Sequence, residues 1–298
     1  MDADFRLKVF YAAACKLNFT KAANDLFITQ PAVTKNIKEL EQQTGVTLFE
    51  RNGGRLMLTE AGEILKEHAK KILDQYNQAD YALSLLNGKE SGMLKLGAST
   101  TVSQYVIPTI LALFHAKHPG IQLQLVNGNT EQIERGLLDK EIDLAITEGS
   151  ASKNSIKYIP FLKDEIVLVT ATANNRIQQI EDYNELKKLP LVMRENGSGT
   201  LAIIEQSLKE KAIHLPELDI RLQLGSSESI KEFLLHSNYY AFLSVHAITR
   251  YLQDGSLTII EIADMDIHRK FYFAHMYGTL SALPNLFMKF AFQQQSHT

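Results

Sequence analysis

The chain has 298 residues, 45% hydrophobic and 22% charged, values of a globular protein long enough for two or more domains. A net charge of −3 and a single cysteine, Cys15, exclude an internal disulfide and a cysteine-rich zinc module and leave little net charge for non-specific capture of nucleic acid. No apolar run approaches the ~18 residues of a membrane span and no basic-then-apolar start marks a secretory signal, so a cytoplasmic protein without a membrane partner is expected.

In chain order, Leu7, Phe10, Tyr11 and Ala14 recur at i, i+3, i+4, i+7 and predict a first helix with one apolar stripe, beside which Cys15 reads as buried packing. Thr20 is placed to cap a second helix that packs through Ala23 and Leu26. Thr29 can cap a third, with Pro31 in its first turn, where a missing N–H costs nothing. That third helix has two unlike faces. Val33, Ile37 and Leu40 point inward, while Thr34, Lys35 and Lys38 lie roughly 140° away. Hydroxyl and ammonium donors are the groups that meet phosphates and purine acceptors in a major groove, and Gln30 stands at the tip, where a recognition helix reaches base edges. A hairpin follows, anchored by Phe49, Leu56 and Leu58, with Asn52-Gly53-Gly54 as the turn. Arg51 and Arg55 flank the turn as a basic wing, and Gly62 ends the unit.

From Glu63 to about Leu86 there is neither glycine nor proline. Leu65, Ala69, Ile72, Tyr76, Ala79, Leu83 and Leu86 alternate at spacings of four and three, an a/d seam that predicts helix–helix pairing between protomers. Residues 87–92, Asn-Gly-Lys-Glu-Ser-Gly, read as a hinge.

The order FTKAA, QPAVTKNIKELE, GVTLFER and LTEAG resembles the N-terminal domain of LysR-type transcriptional regulators over about 60 residues without a gap. The resemblance implies a homodimer or homotetramer on double-stranded operator DNA, acting with RNA polymerase. It also implies contacts from Thr20, Gln30, Pro31, Thr34, Lys35, Lys38, Arg51 and Arg55. The family often has Ser-Arg where this chain has Thr34-Lys35, which exchanges a bidentate guanidinium for a point charge. Residues 1–90 carry 12 basic and 12 acidic side chains, so DNA affinity is expected to lean on dimerisation.

Beyond Met93 strands and helices alternate: LKLGAS, a helix over VIPTILALFHAKHP, IQLQLVNG, a helix over EQIERGLLDKE, then IDLAITEG. A second set runs IVLVTA, LPLVMRE, GTLAIIEQSLKEKA, DIRLQLGS, SESIKEFLLHS and YAFLSV. The pattern predicts parallel sheet in two α/β halves with a cleft at the strand ends. By resemblance it is a two-subdomain, periplasmic-binding-protein-like (type 2) effector domain. The whole chain then reads as α plus α/β: winged helix-turn-helix 1–62, linker helix and hinge 63–91, effector domain 92–298. Within the last, one half is about 93–162 plus 268–298, the other about 163–267.

The strand-end loops are chemically alike: Ser99, Thr100 and Thr101 with Ser103 behind, Thr147, the run Gly197, Ser198, Gly199 and Thr200, and Ser226. Hydroxyls and helix N-terminal amides form an anion-binding set, and glycines 197 and 199 allow close backbone approach to a ligand. The expected effector is a small oxyanion or carboxylate held by neutral donors, since Leu201 stands where the family often has arginine and Arg194 reads as a structural ion-pair member. No cofactor or metal is expected. H-E-x-x-H, the P-loop and the G-x-S-x-G elbow are absent, so no enzyme activity is expected. A transport solute-binding protein shares the second architecture but gives no reason for the first.

Overall fold

The computed structural model describes residues 4–53, 55–86, 91–148, 153–174, 177–278 and 280–295. Gly54 of the expected turn and residues 87–90 of the expected hinge lie outside them. Contacts divide the chain into Met1–Gly92 and Met93–Thr298.

The first unit runs α1 (Phe5–Lys16), α2 (Phe19–Asp25), α3 (Gln30–Thr44), β1 (Phe49–Asn52), β2 (Arg55–Leu58) and α4 (Glu60–Leu86). The buried stripe of α1 is Val9, Phe10, Ala13 and Ala14, with Leu7 and Tyr11 packed half-buried at its side. Cys15 is half-buried. Asn18, not Thr20, caps α2 by accepting from the Lys21 N–H at 3.0 Å; an amide oxygen one position before the helix reaches the orphan donor that Thr20, inside the first turn, cannot. Thr29 does cap α3, accepting from Ala32 N–H. Gly62 does not end the unit. Thr59 takes the Gly62 N–H at 3.0 Å, α4 begins at Glu60, and Gly62 sits in its first turn against the backbone of Leu48. A Cβ there would lie 2.1 Å from the Leu48 carbonyl oxygen.

The second unit contains β3 (Gly92–Ser99), a π-helical stretch (Val102–Val106), α5 (Ile107–Lys117), β4 (Ile121–Gly128), α6 (Thr130–Leu138), β5 (Leu144–Glu148) and β6 (Ile156–Ala171). It continues with β7 (Gln179–Ile180), α7 (Tyr183–Leu186), β8 (Leu191–Arg194), α8 (Gly199–Glu210), β9 (Ile220–Leu224) and α9 (Ser227–Leu235). β10 (Tyr240–Ser244), α10 (Val245–Gln253), β11 (Leu257–Ile262), β12 (Ile267–Met276) and α11 (Ala282–Gln295) complete it.

The sheet order is β4-β3-β5-β12-β6-β10-β8-β9. The pairs β3–β5, β8–β10 and β8–β9 are parallel, as the alternating pattern requires. The middle is not: β12 runs antiparallel to β5 and β6, and β6 antiparallel to β10 and β11. β6 is therefore one 16-residue strand that pairs with β12 along its first part and with β10 and β11 along its last. The expected boundary at 162/163 falls inside it. Its register slips opposite Phe271/Tyr272, beside Pro160, which has no N–H to give a ladder. The halves thus join through a pair of long antiparallel strands.

Candidate functional site

The first candidate is the exposed face of α3 with the hairpin beside it. Val33, Ile37 and Leu40 are buried, which turns Gln30, Lys35 and Lys38 to solvent and leaves Thr34 half-buried. The Gln30 side-chain amide donates to the Thr34 hydroxyl at 2.9 Å, and that hydroxyl donates to the Gln30 carbonyl. The two are a pre-ordered polar pair at the helix tip. Lys35 is held only loosely, 3.9 Å from Glu39, a surface pair of little energetic weight. Pro31 and Thr20 are exposed. The hairpin is fastened to α3 by Glu41, whose carboxylate accepts from the Leu48 and Phe49 N–H groups at 2.7 and 3.3 Å. Edge-to-face contacts of Phe49 with Phe10 and Phe19 join the hairpin to α1 and α2. Arg51 pairs in register with Leu56, and Arg55 with Asn52, so the exposed arginines leave the ribbon on opposite faces.

The α4 stripe divides in two. Ala69 is fully buried and Leu65 packs beside it, both in the core of their own winged domain; these two positions are corrected from seam to core. Farther along, Ile72 is 43% and Leu83 49% exposed, and Tyr76 and Ala79 line a shallow groove with Ile72. The side chain of Leu86 lies outside the described residues.

The second candidate is where β3, β5, β8 and α8 end together. β3 and β5 are neighbours in register through Ala98 and Ile146, which brings Ser99 beside Thr147. Thr200 donates to Glu148 at 3.3 Å, and a Cβ at Gly199 would lie 2.3 Å from the Glu148 carbonyl oxygen; α8 therefore abuts β5. Arg194 Nη2 reaches the Thr100 hydroxyl at 3.4 Å. Ser99, Thr101, Thr147 and Ser198 are buried, and their hydroxyls have no hydrogen-bond partner among the described residues. Ser198 stands at the N-cap of α8 without making a side-chain cap bond. Buried polar groups are seldom left unpaired, so this cluster is set apart from ordinary turns.

The other expected members are engaged elsewhere. The Ser103 hydroxyl donates to Thr100 O and contacts Asn127 Oδ1. Ser226 caps α9. Thr100 bonds Gly128 O, and Thr200 accepts from Arg269 Nη1 at 2.7 Å. Gly197, at φ +83°, and Gly199 make room for Glu131, Thr130 and Glu148. Arg194, expected as a structural ion-pair member, has a second aspect. Arg194 does form an ion pair, Nε to Glu195 at 2.8 Å, yet its Nη1 is buried without a partner among the described residues. An arginine closing a buried strand at a Gly-Ser loop is the signal that reveals it.

Sequence reasoning missed the charged network underneath. Arg269 Nε lies 2.6 Å from Asp164 and its Nη1 3.4 Å from Glu148, all buried; Ser244 donates to Asp164 at 2.8 Å. A larger concavity of about 820 Å³ shares Asp164 and Arg269 with this network but is otherwise lined by side chains such as Lys163, Gln206, Glu210 and His268.

Comparison with known proteins agrees with both halves. Residues 5–63 match the model of the bacterial regulatory helix-turn-helix protein, lysR family, and residues 87–296 that of the LysR substrate binding domain. The chain is 34% identical to the HTH-type transcriptional regulator CfxR of Cupriavidus necator over 91% of its length and 84% of the relative's. It is 28% identical to the HTH-type transcriptional activator CmpR of Synechocystis, over 96% and 94%. Among solved structures, full-length CbnR complexed with its target DNA superposes with a TM-score of 0.65 at 18% identity, covering 98% of this chain and 99% of that one. The Synechocystis CcmR regulatory domain in complex with 2-PG gives 0.60 at 29% identity, covering 68% and 96%. With a matching model over each unit, the chain belongs to the LysR family of bacterial DNA-binding transcriptional regulators.

Proposed function

We propose that this regulator is a cytoplasmic homo-oligomer in which a small oxyanion or carboxylate, bound between the halves of the second unit, changes how paired winged helices engage operator DNA and RNA polymerase. The observation that carries the effector reading is the buried set of unpaired donors, Arg194 Nη1 with the hydroxyls of Ser99, Thr101 and Ser198. An anion gains from each such donor without the cost of desolvating it again. That the regulatory domain of the relative CcmR was solved with 2-PG supports placing the ligand in this unit. Pairing through the Ile72, Tyr76, Ala79 and Leu83 stripe, exposed at Ile72 and Leu83, supplies the second reading head.

Thr101→Val and Ser198→Ala each remove one unpaired donor while keeping shape. Isothermal titration of the full-length protein with sulfate and small carboxylates is expected to show affinity lowered about 10-fold by each. Variants that bind the anion as tightly as the parent would refute this site.

A further inference from the structure

Glu148, at the end of β5, is 2% exposed. Its Oε1 accepts from Thr200 and from Arg269, but its Oε2 has no partner among the described residues. A hydroxyl can turn and either donate or accept; a carboxylate oxygen can only accept. A plain anion beside Oε2 would be repelled, and only a donor satisfies it. Arg269 stands against two carboxylates, Asp164 and Glu148, with His246 3.9 Å from Asp164, and its Nη2 is likewise without a partner among the described residues. At Arg194 the charge is balanced by Glu195, and the unpaired atom is a guanidinium nitrogen, on a side chain joined to Thr100 at the end of β3. The cluster thus has an end with donors only, at Arg194, and an end at Glu148 that also carries an unpaired acceptor.

We propose that the effector is a small carboxylate that itself carries a hydrogen-bond donor, a hydroxyl or an ammonium. Its carboxylate meets Arg194 and the hydroxyls of Ser99, Thr101 and Ser198, and its donor meets Glu148 Oε2. This rests on the anion reading above and narrows it. Sulfate, an acceptor only, can meet the unpaired donors but leaves Glu148 Oε2 bare.

The test is titration of the full-length protein with matched acids: propionate, lactate and alanine, then succinate, malate and aspartate, with sulfate as the acceptor-only anion. The hydroxy or amino member of a series is expected to bind about 10-fold or more tightly than its unsubstituted partner, and the better of the two identifies the donor. O-methyl and N-trimethyl analogues are expected to lose that advantage on the unaltered protein, so no variant has to fold. Glu148→Gln, checked by its melting curve, is expected to erase it too. Equal or tighter binding of the unsubstituted acid or of sulfate overturns this proposal and leaves the anion site standing. Failure of every acid and of sulfate to bind overturns the anion reading itself, and this proposal with it.

Discussion

Phe27 is 96% exposed and holds φ at +54° in the turn between α2 and α3. A side chain with a Cβ loses on the order of 1 kcal/mol in that backbone region, and asparagine tolerates it better. Phe27→Asn is therefore expected to raise the melting temperature, by an amount equivalent to roughly 1 kcal/mol. An unchanged or lowered midpoint would show that the ring earns its place through contacts. Gly62 poses the opposite case. Alanine improves intrinsic helix propensity by about 1 kcal/mol, but its Cβ would meet the Leu48 carbonyl, so Gly62→Ala is expected to destabilise by on the order of 2 kcal/mol in chemical denaturation. At this scale the chain is half readable. Ser99, Thr101, Thr147 and Ser198 stand out because small hydroxyls recur at strand ends. Glu148 and Arg269 do not, because the Arg269 partner Asp164 is 105 positions away and no local pattern links them.

Helix α4 shows what periodicity can and cannot tell. The four-three spacing identifies an apolar stripe, and the stripe exists, but spacing does not say what covers it. Its first turns close the core of their own domain through Leu65 and Ala69, and only the part from Ile72 onward is open to a second chain. Leu83→Asp puts a charge on the open part. Sedimentation is expected to show loss of the helix-mediated dimer and a large fall in operator affinity, with the melting of the winged domain little changed. An unchanged oligomer would place the pairing surface elsewhere. Strand β6 was harder to read for a related reason. Lys163, Asp164 and Glu165 interrupt its apolar run with three charges, yet Asp164 is buried, with Arg269 neutralising it from the facing strand.

Across the second unit, the two halves are latched as well as hinged. Tyr105, in the π-helical stretch after β3, donates to Glu228 of α9 at 2.5 Å. Lys231, almost fully buried, joins the same carboxylate at 2.9 Å and lies over the rings of Tyr105 and Tyr251. Burial alone would raise the Glu228 carboxyl, but the hydrogen bonds from Tyr105 and Lys231 outweigh it and hold it below the usual carboxylate range. Burial first, then the Glu228 carboxylate, push the Tyr105 phenol well up. A carboxyl depressed by folding contributes stability above its unfolded titration and loses it as pH falls through the folded value. Tyr105→Phe is thus expected to cost about 1 kcal/mol at neutral pH, modest because Glu228 is partly exposed. The gap from the parent should shrink below about pH 4, as measured by melting temperature against pH. A gap constant down to acid would mean the phenol acts by packing alone. The parallel flanks of this unit are legible as alternating strand and helix. The antiparallel middle is not, because β6 and β12 meet only after about 100 residues of chain, and such pairing leaves no local trace.

Because Ala69 belongs to the winged core while Ile72, three residues on, faces outward, α4 has no joint between the reading head and the pairing surface. The helix that would touch the partner is the same one that packs on α1 and β2 of the winged domain. Its 27 residues span about 40 Å at 1.5 Å each. With pairing through α4 as proposed, the distance and twist between two α3 helices on a duplex would follow how the two α4 helices cross, much as the jaws of a caliper follow its beam. One extra residue in α4 after Ala69 would swing the jaws by about 100°, so the preferred half-site spacing, more than overall stability, is the quantity such an insertion would change.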